Sequence, residues 1–177
     1  NLKTISQNQI KDTIPFYKSI NLNNIHYHYS NTTREAVKNI SLTIPAKSKV
    51  GLVGTTGCGK TTMVDIILGL LEATKGTLEV DDKFIKKHNV RAWQRSIGYV
   101  PQQIYVSDDT IEANIAFGAK DTNDIDQEAV KTAAQIANLH EFVVNELPNK
   151  YKTTVGERGV RLSGGQVQRI GIARALY

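Results

Sequence analysis

The period of apolar and polar residues changes several times along the chain, and each change marks an expected element. Residues 1–18 are polar, contain Pro15 and hold no sustained period, so they read as a linker or tail. Ile20, Leu22 and Asn24, with Ile25, Tyr27 and Tyr29, alternate with period two and predict a strand. The loop SNTTRE separates it from a second strand region marked by Val37, Ile40, Leu42 and Ile44 and stopped by the turn at Pro45. VGLVG at 50–54 predicts a short buried strand, and 60–71, apolar on most faces, predicts a buried helix. Leu78 and Val80 alternate with Thr77 and Glu79 in a strand that ends at Asp81 and Asp82. A short helix is expected over 89–96 and another strand at IGYVP, 97–101. Val130, Ala133, Ala134, Ala137, Phe142 and Val143 fall near helical spacing, which predicts one helix over 128–147 ended by Pro148. The loop TTVGERG follows, and Ser163 offers an N-cap for a final helix through Ile170, Ala173 and Leu176. Alternating strands and helices predict an α/β fold with a parallel sheet.

Composition narrows this picture without changing it. The chain has 177 residues, 40% apolar and 22% charged, close to globular averages, so disordered and fibrous readings fail. No apolar run approaches the roughly 20 residues of a membrane-spanning helix. The single cysteine, Cys58, excludes an internal disulfide and a multi-cysteine zinc site and fits a reducing compartment. Net charge is +5, with eight basic groups against Asp12 and Glu35 in residues 1–60. Such a balance suits nucleic acid, a membrane surface or a phosphorylated ligand. The sequence has no arginine–glycine repeat, zinc finger or stacked-aromatic pattern, so nucleic acid is not an expected partner.

Two motifs select the phosphorylated ligand. Gly54, Thr55, Thr56, Gly57, Cys58, Gly59, Lys60 and Thr61 match GxxxxGK[ST] between a predicted strand and a predicted helix. Glycines let backbone wrap closely around phosphate, and the amides of Thr56 to Thr62 can point at phosphate oxygens where the helix dipole favours negative charge. Lys60 would reach the β- and γ-phosphates and the Thr61 hydroxyl would bind Mg²⁺. Cys58 reads as a small residue whose backbone matters, or alternatively as a reactive thiol at a helix start. Leu162, Ser163, Gly164, Gly165 and Gln166 form the second motif, a capped helix start with free amides suited to an anion.

Together these residues resemble the nucleotide-binding domain of ABC transporters. The phosphate loop resembles 54–61, the signature sequence is LSGGQ as at 162–166, and the glutamine loop resembles Tyr99, Val100, Pro101 and Gln102, in matching order. The resemblance covers about 19–177 and implies a P-loop NTPase fold. That fold has a RecA-like parallel core, an N-terminal antiparallel β subdomain (with the core, 19–102), a helical subdomain bearing the signature (103–165) and a return helix (166–177). TTVGERG and Thr110–Ile115 resemble exporters, whose membrane domain precedes this domain, with 1–18 as the connection and Glu157 and Arg158 as candidate interdomain contacts.

The resemblance assigns Tyr29 to adenine stacking, with Tyr27 as competitor, and Lys60 and Gln102 to catalysis, Thr61 and Gln102 holding Mg²⁺. It implies ATP as ligand, a head-to-tail homodimer in which Ser163, Gly164 and Gly165 of one chain close on the γ-phosphate held by the other, and a place on the cytoplasmic face of the inner membrane. The implied function is the ATPase motor of an exporter. Alternatives are a regulatory ATP-binding module without transport and an ABC-type ATPase acting on nucleic acid or ribosomes.

Lys47, Asp82 and Val167 depart from the family's pattern. The family's Walker B strand and switch histidine would follow Tyr177, which implies an incomplete core with Val50 to Val53 uncovered and no turnover by this segment alone. His26, His28, His88 and His140 are expected on solvated surfaces.

Overall fold

A computed structural model of the chain describes residues 13–30, 32, 34–119, 121–157 and 159–177. Residues 1–12 of the expected tail, and Arg158, lie outside the described residues. The chain divides into two compact units, 1–97 and 98–177.

The first unit is built on strands β1 (Ser19–His28) and β2 (Glu35–Pro45), helix α1 (Lys60–Ile67), strands β3 (Lys75–Val80) and β4 (Lys83–Phe84), and helix α2 (Val90–Gln94). Its sheet is antiparallel in the order β2-β1-β3-β4. The mixed parity of β1 has a cause: Ile20 and Leu22 face the core, register shifts beyond Leu22, and Ile25 faces the core with opposite parity. Asn24 carries this irregularity at φ 48°, and Asn39 at φ 49° marks the matching slip in β2 between buried Val37 and half-buried Leu42. Both are asparagines, which tolerate left-handed backbone better than other side chains.

Helix α1 stops at Ile67, short of the expected residue 71, because Gly69 turns the chain at φ 68° and Asp65 O accepts the amides of both Leu70 and Leu71. Side chains of α2 take carbonyls at and just beyond its C-terminus: Trp93 Nε1 donates to Ile67 O at 2.8 Å and Gln94 Nε2 to Gly69 O at 3.0 Å. Ile14, Ile20, Leu22, Ile25, Val37, Met63, Ile66, Leu78, Val80 and Trp93 form the core of this unit. Residues 14–18 therefore join the packing. Ile14 is buried, Phe16 meets Trp93 edge-on, and the amides of Tyr17, Lys18 and Ser19 all donate to the Asp81 carboxylate.

The second unit holds β5 (Asp109–Thr110), α3 (Ile111–Ile115), α4 (Gln127–Ile136), α5 (His140–Glu146), β6 (Thr154–Val155) and α6 (Gly164–Leu176). The helix expected over 128–147 is two helices. Asn138 adopts φ 55°, and Leu139 N closes on Ala134 O at 2.8 Å, a left-handed end that sends Leu139 into the core. β5 and β6 pair antiparallel.

The strands expected at 50–54 and 97–101 do not form. An extended segment becomes a strand only when a neighbour supplies its ladder, and neither segment has a ladder partner among the described residues. The α/β class stands, but the observed sheets are antiparallel. Val50, Leu52 and Val53 are 47, 37 and 94% exposed, in keeping with the expected uncovered apolar surface. Two histidines depart from expectation: His26 and His140 are half-buried, with Nδ1 2.9 Å from Glu35 Oε1 and 2.8 Å from the Tyr151 hydroxyl respectively.

Desolvation pushes the Asp81 carboxyl up, but the three amide hydrogen bonds, with the nearby Lys18 ammonium, outweigh it and hold it below its ordinary value. A depressed carboxylate stabilises the fold above its unfolded pKa and loses that effect as pH falls through the folded value. Residues 14–19 should accordingly stay docked at neutral pH and loosen in acid. Asp81→Ala should speed amide hydrogen exchange at Lys18 and Ser19 at neutral pH, a change that acidification should reproduce in the unaltered chain.

Candidate functional site

Residues 54–59 form an irregular loop that delivers the chain to the N-terminus of α1. Gly59 occupies the N-cap at φ 94° and offers no side-chain cap, so the first amides of α1 remain available to an outside acceptor. A Cβ on Gly59 would collide with the carbonyl oxygen of Ala36 on β2. Only glycine permits both that backbone angle and that approach. Lys60 folds back over the loop, its Nζ 2.9 Å from Gly54 O, 2.8 Å from Thr55 O and 3.7 Å from Cys58 Sγ. Thr61 is exposed and Thr62 is buried. The loop thus presents a cation and a helix start together, the two features that bind phosphate.

Tyr29, just beyond β1, belongs to the same site. Its hydroxyl lies 3.0 Å from Thr62 Oγ1, and its ring stands edge-to-face with Tyr27 at 5.0 Å between centroids. Tyr29 is 44% exposed while Tyr27 is partly buried against the core, which favours Tyr29 as the ring presented to a ligand.

The other expected residues lie in the second unit. Gln102 and Gln103 are exposed in a bend. Ser163 caps α6 in a reciprocal arrangement: the Gln166 amide donates to Ser163 Oγ at 3.3 Å, and the Ser163 amide donates to Gln166 Oε1 at 2.7 Å. Leu162 packs against the core of this unit. Beside Gly164 an added Cβ would meet nothing within 4 Å, and beside Gly165 only Ser163 Oγ at 4.0 Å. Val167, with Val106, Gly156, Glu157, Arg161 and Leu162, lines an open depression of about 600 Å³.

Sequence reasoning missed the groups that hold this region in place. Asn114, fully buried on α3, donates through Nδ2 to Ser107 O and Thr110 O, both at 3.0 Å, and accepts at Oδ1 from Ser107 N at 2.9 Å. Arg174 of α6 donates from Nε to Asn114 O at 2.9 Å and from Nη1 to Tyr105 O at 3.0 Å, with its guanidinium 4.4 Å from the Phe117 ring centroid. Burial lowers the Arg174 pKa from its ordinary value. Asp108 Oδ1 accepts the Glu157 amide at 2.6 Å and sits where a Cβ on Gly156, at φ 107°, would be. Thr110, whose hydroxyl caps α3, is the one local signal that could have revealed this helix.

The family profile described as "ABC transporter" matches residues 37–177. The chain belongs to the ABC transporter family. An ATP-dependent lipid A-core flippase of Methylococcus capsulatus is 41% identical over 158 residues, 89% of this chain and 26% of its own length. An uncharacterized ABC transporter ATP-binding protein, YfiB, of Bacillus subtilis is 38% identical over 157 residues, 89% of this chain and 27% of its own length. The solved structure of a bacterial Atm1-family ABC exporter with ATP bound superposes with a TM-score of 0.75 and 32% identity, over 93% of this chain and 28% of that one. The chain therefore spans about a quarter of the length of these relatives. No helix among the described residues is long and apolar enough to cross a membrane.

Replacing Asn114 with alanine should remove at least three buried hydrogen bonds at once, lowering stability by about 2–3 kcal/mol in chemical denaturation. Gly59→Ala should cost about 1–3 kcal/mol through strain and the Ala36 collision, read as a lower melting temperature.

Proposed function

We propose that this chain is the ATP-binding motor segment of an ABC exporter, driving export or flipping across a membrane. The observation that carries the reading is the phosphate loop: a glycine-capped start of α1 with Lys60 held over it. On binding, Lys60 exchanges the carbonyls of Gly54 and Thr55 for β- and γ-phosphate oxygens, and amides within residues 56–62 donate to the remaining phosphate oxygens. The exposed Tyr29 ring stacks on adenine.

The donor set suits Mg²⁺, which uses few protein ligands and takes the rest from phosphate and water. The resemblance supplies the candidate ligands, each proposed in its own unit: the Thr61 hydroxyl, exposed in the first turn of α1, and the Gln102 amide oxygen, exposed in its bend. Bound there, Mg²⁺ would neutralise charge on the phosphate oxygens. Gln102 and Lys60 are the proposed catalytic residues. Residues 1–177 hold and sense phosphate, yet none of their motifs assigns a carboxylate to polarise water. Turnover is accordingly proposed for the whole protein, and this segment alone should show none.

The signature acts from a second copy. Two glycines in the first turn of α6 each cost up to about 1 kcal/mol against alanine, and among the described residues nothing crowds the position of a side chain there. Their open side suits a γ-phosphate presented by the head-to-tail partner, with the Ser163 hydroxyl as donor. The motor would lie at the cytoplasmic face of the membrane, with 154–159 against the membrane domain.

In the full-length protein Lys60→Ala should lower ATP turnover at least a hundredfold, and undiminished turnover would remove the phosphate-loop assignment. Gly164→Ala separates a capping role from a shared site. It should stabilise the fold by about 0.5–1 kcal/mol while reducing ATP turnover, whereas a merely capped helix would gain stability and keep its activity.

A further inference from the structure

One hydrogen bond joins the ring proposed for adenine to the helix proposed for phosphate. Thr62 stands in the first turn of α1 and is 5% exposed, so its hydroxyl is out of reach of bulk water and needs a partner in the protein. That partner is the Tyr29 hydroxyl at 3.0 Å. The bond lies at the far end of the Tyr29 side chain, where it limits both ring torsions, and the Tyr27 ring at 5.0 Å and 89° limits them further. What stays free is ring surface, since Tyr29 remains 44% exposed.

We propose that Thr62 is a positioning residue for base recognition: its side-chain hydroxyl holds the Tyr29 ring at a set place relative to the phosphate loop. The inference rests on the reading that Tyr29 stacks on adenine. An untethered tyrosine loses rotamer freedom when a base settles on it, and that ordering opposes binding. A ring already tied to α1 has lost it on folding. The tie also makes base and phosphate recognition one rigid unit, because Thr62 lies two residues beyond Lys60 on the same helical turn. The Thr62 side chain thereby serves the base, while its backbone amide serves phosphate.

The test compares binding of MgATP with that of magnesium tripolyphosphate, which lacks the base, to the full-length protein by calorimetry. Thr62→Val should weaken MgATP about fivefold more than tripolyphosphate, the equivalent of one hydrogen bond. Thr62→Ser should restore the difference. Tyr29→Phe, which keeps the ring and loses the bond, should match Thr62→Val, and the double variant should be no weaker than either single one. Equal loss of both probes in Thr62→Val, or no rescue by serine, overturns the proposal and leaves Thr62 a packing or phosphate residue. Tyr29→Ala keeps the two readings apart. If it leaves MgATP binding unchanged relative to tripolyphosphate, adenine stacking itself fails. If it weakens MgATP while Thr62→Val and Tyr29→Phe do not, stacking stands and only the tether fails.

Discussion

The close approach of Gly59 to the carbonyl of Ala36 decides where helix α1 begins, and the proposed phosphate site depends on it. A side chain there would push the loop off β2 and carry the first amides of α1 with it. The opposite end is held with equal economy: Trp93 takes the carbonyl of Ile67, and Gln94 that of Gly69 in the turn beyond it. With both termini tied, Met63 and Ile66 pack into the core of the unit, and Lys60, Thr61 and Thr62 are left at one mouth. The helix is held at both ends, and its first turn carries the residues proposed for phosphate binding.

The second unit solves a related problem with polar groups. α6 starts at a reciprocal Ser163 and Gln166 cap and is secured along its length by Arg174, which reaches two backbone carbonyls and an aromatic face. Asn114 beneath it closes the turn before α3 from inside the core. Buried polar networks of this kind are costly when incomplete and specific when satisfied, and no buried side-chain nitrogen or oxygen among the described residues lacks a partner.

What could be read from the sequence was what is contiguous in it. The glycine–lysine loop before α1 and the Ser163 cap of α6 are written in eight and five successive residues, and both appear at the expected places. Helix breaks and strand slips were harder, because Asn24, Asn39 and Asn138 look like ordinary polar residues until their backbone angles are known. Asp81 and Asn114 were invisible as organisers, since the amides and carbonyls they serve carry no side-chain signature. The strands expected at 50–54 and 97–101 show the reverse failure. Apolar composition states what a segment wants, while a ladder requires a neighbour.

The posture of Lys60 has a consequence for how a ligand would be sensed. Its ammonium is already bonded to two neutral carbonyls, so an incoming phosphate does not add hydrogen bonds to it so much as replace dipoles with full negative charge. That exchange sets a full negative charge against the ammonium where partial charges stood before. A loop so arranged would respond to how much charge a ligand carries more than to how many acceptors it offers. A neutral sugar or alcohol would find the lysine satisfied, and ionic strength would govern what can dislodge it.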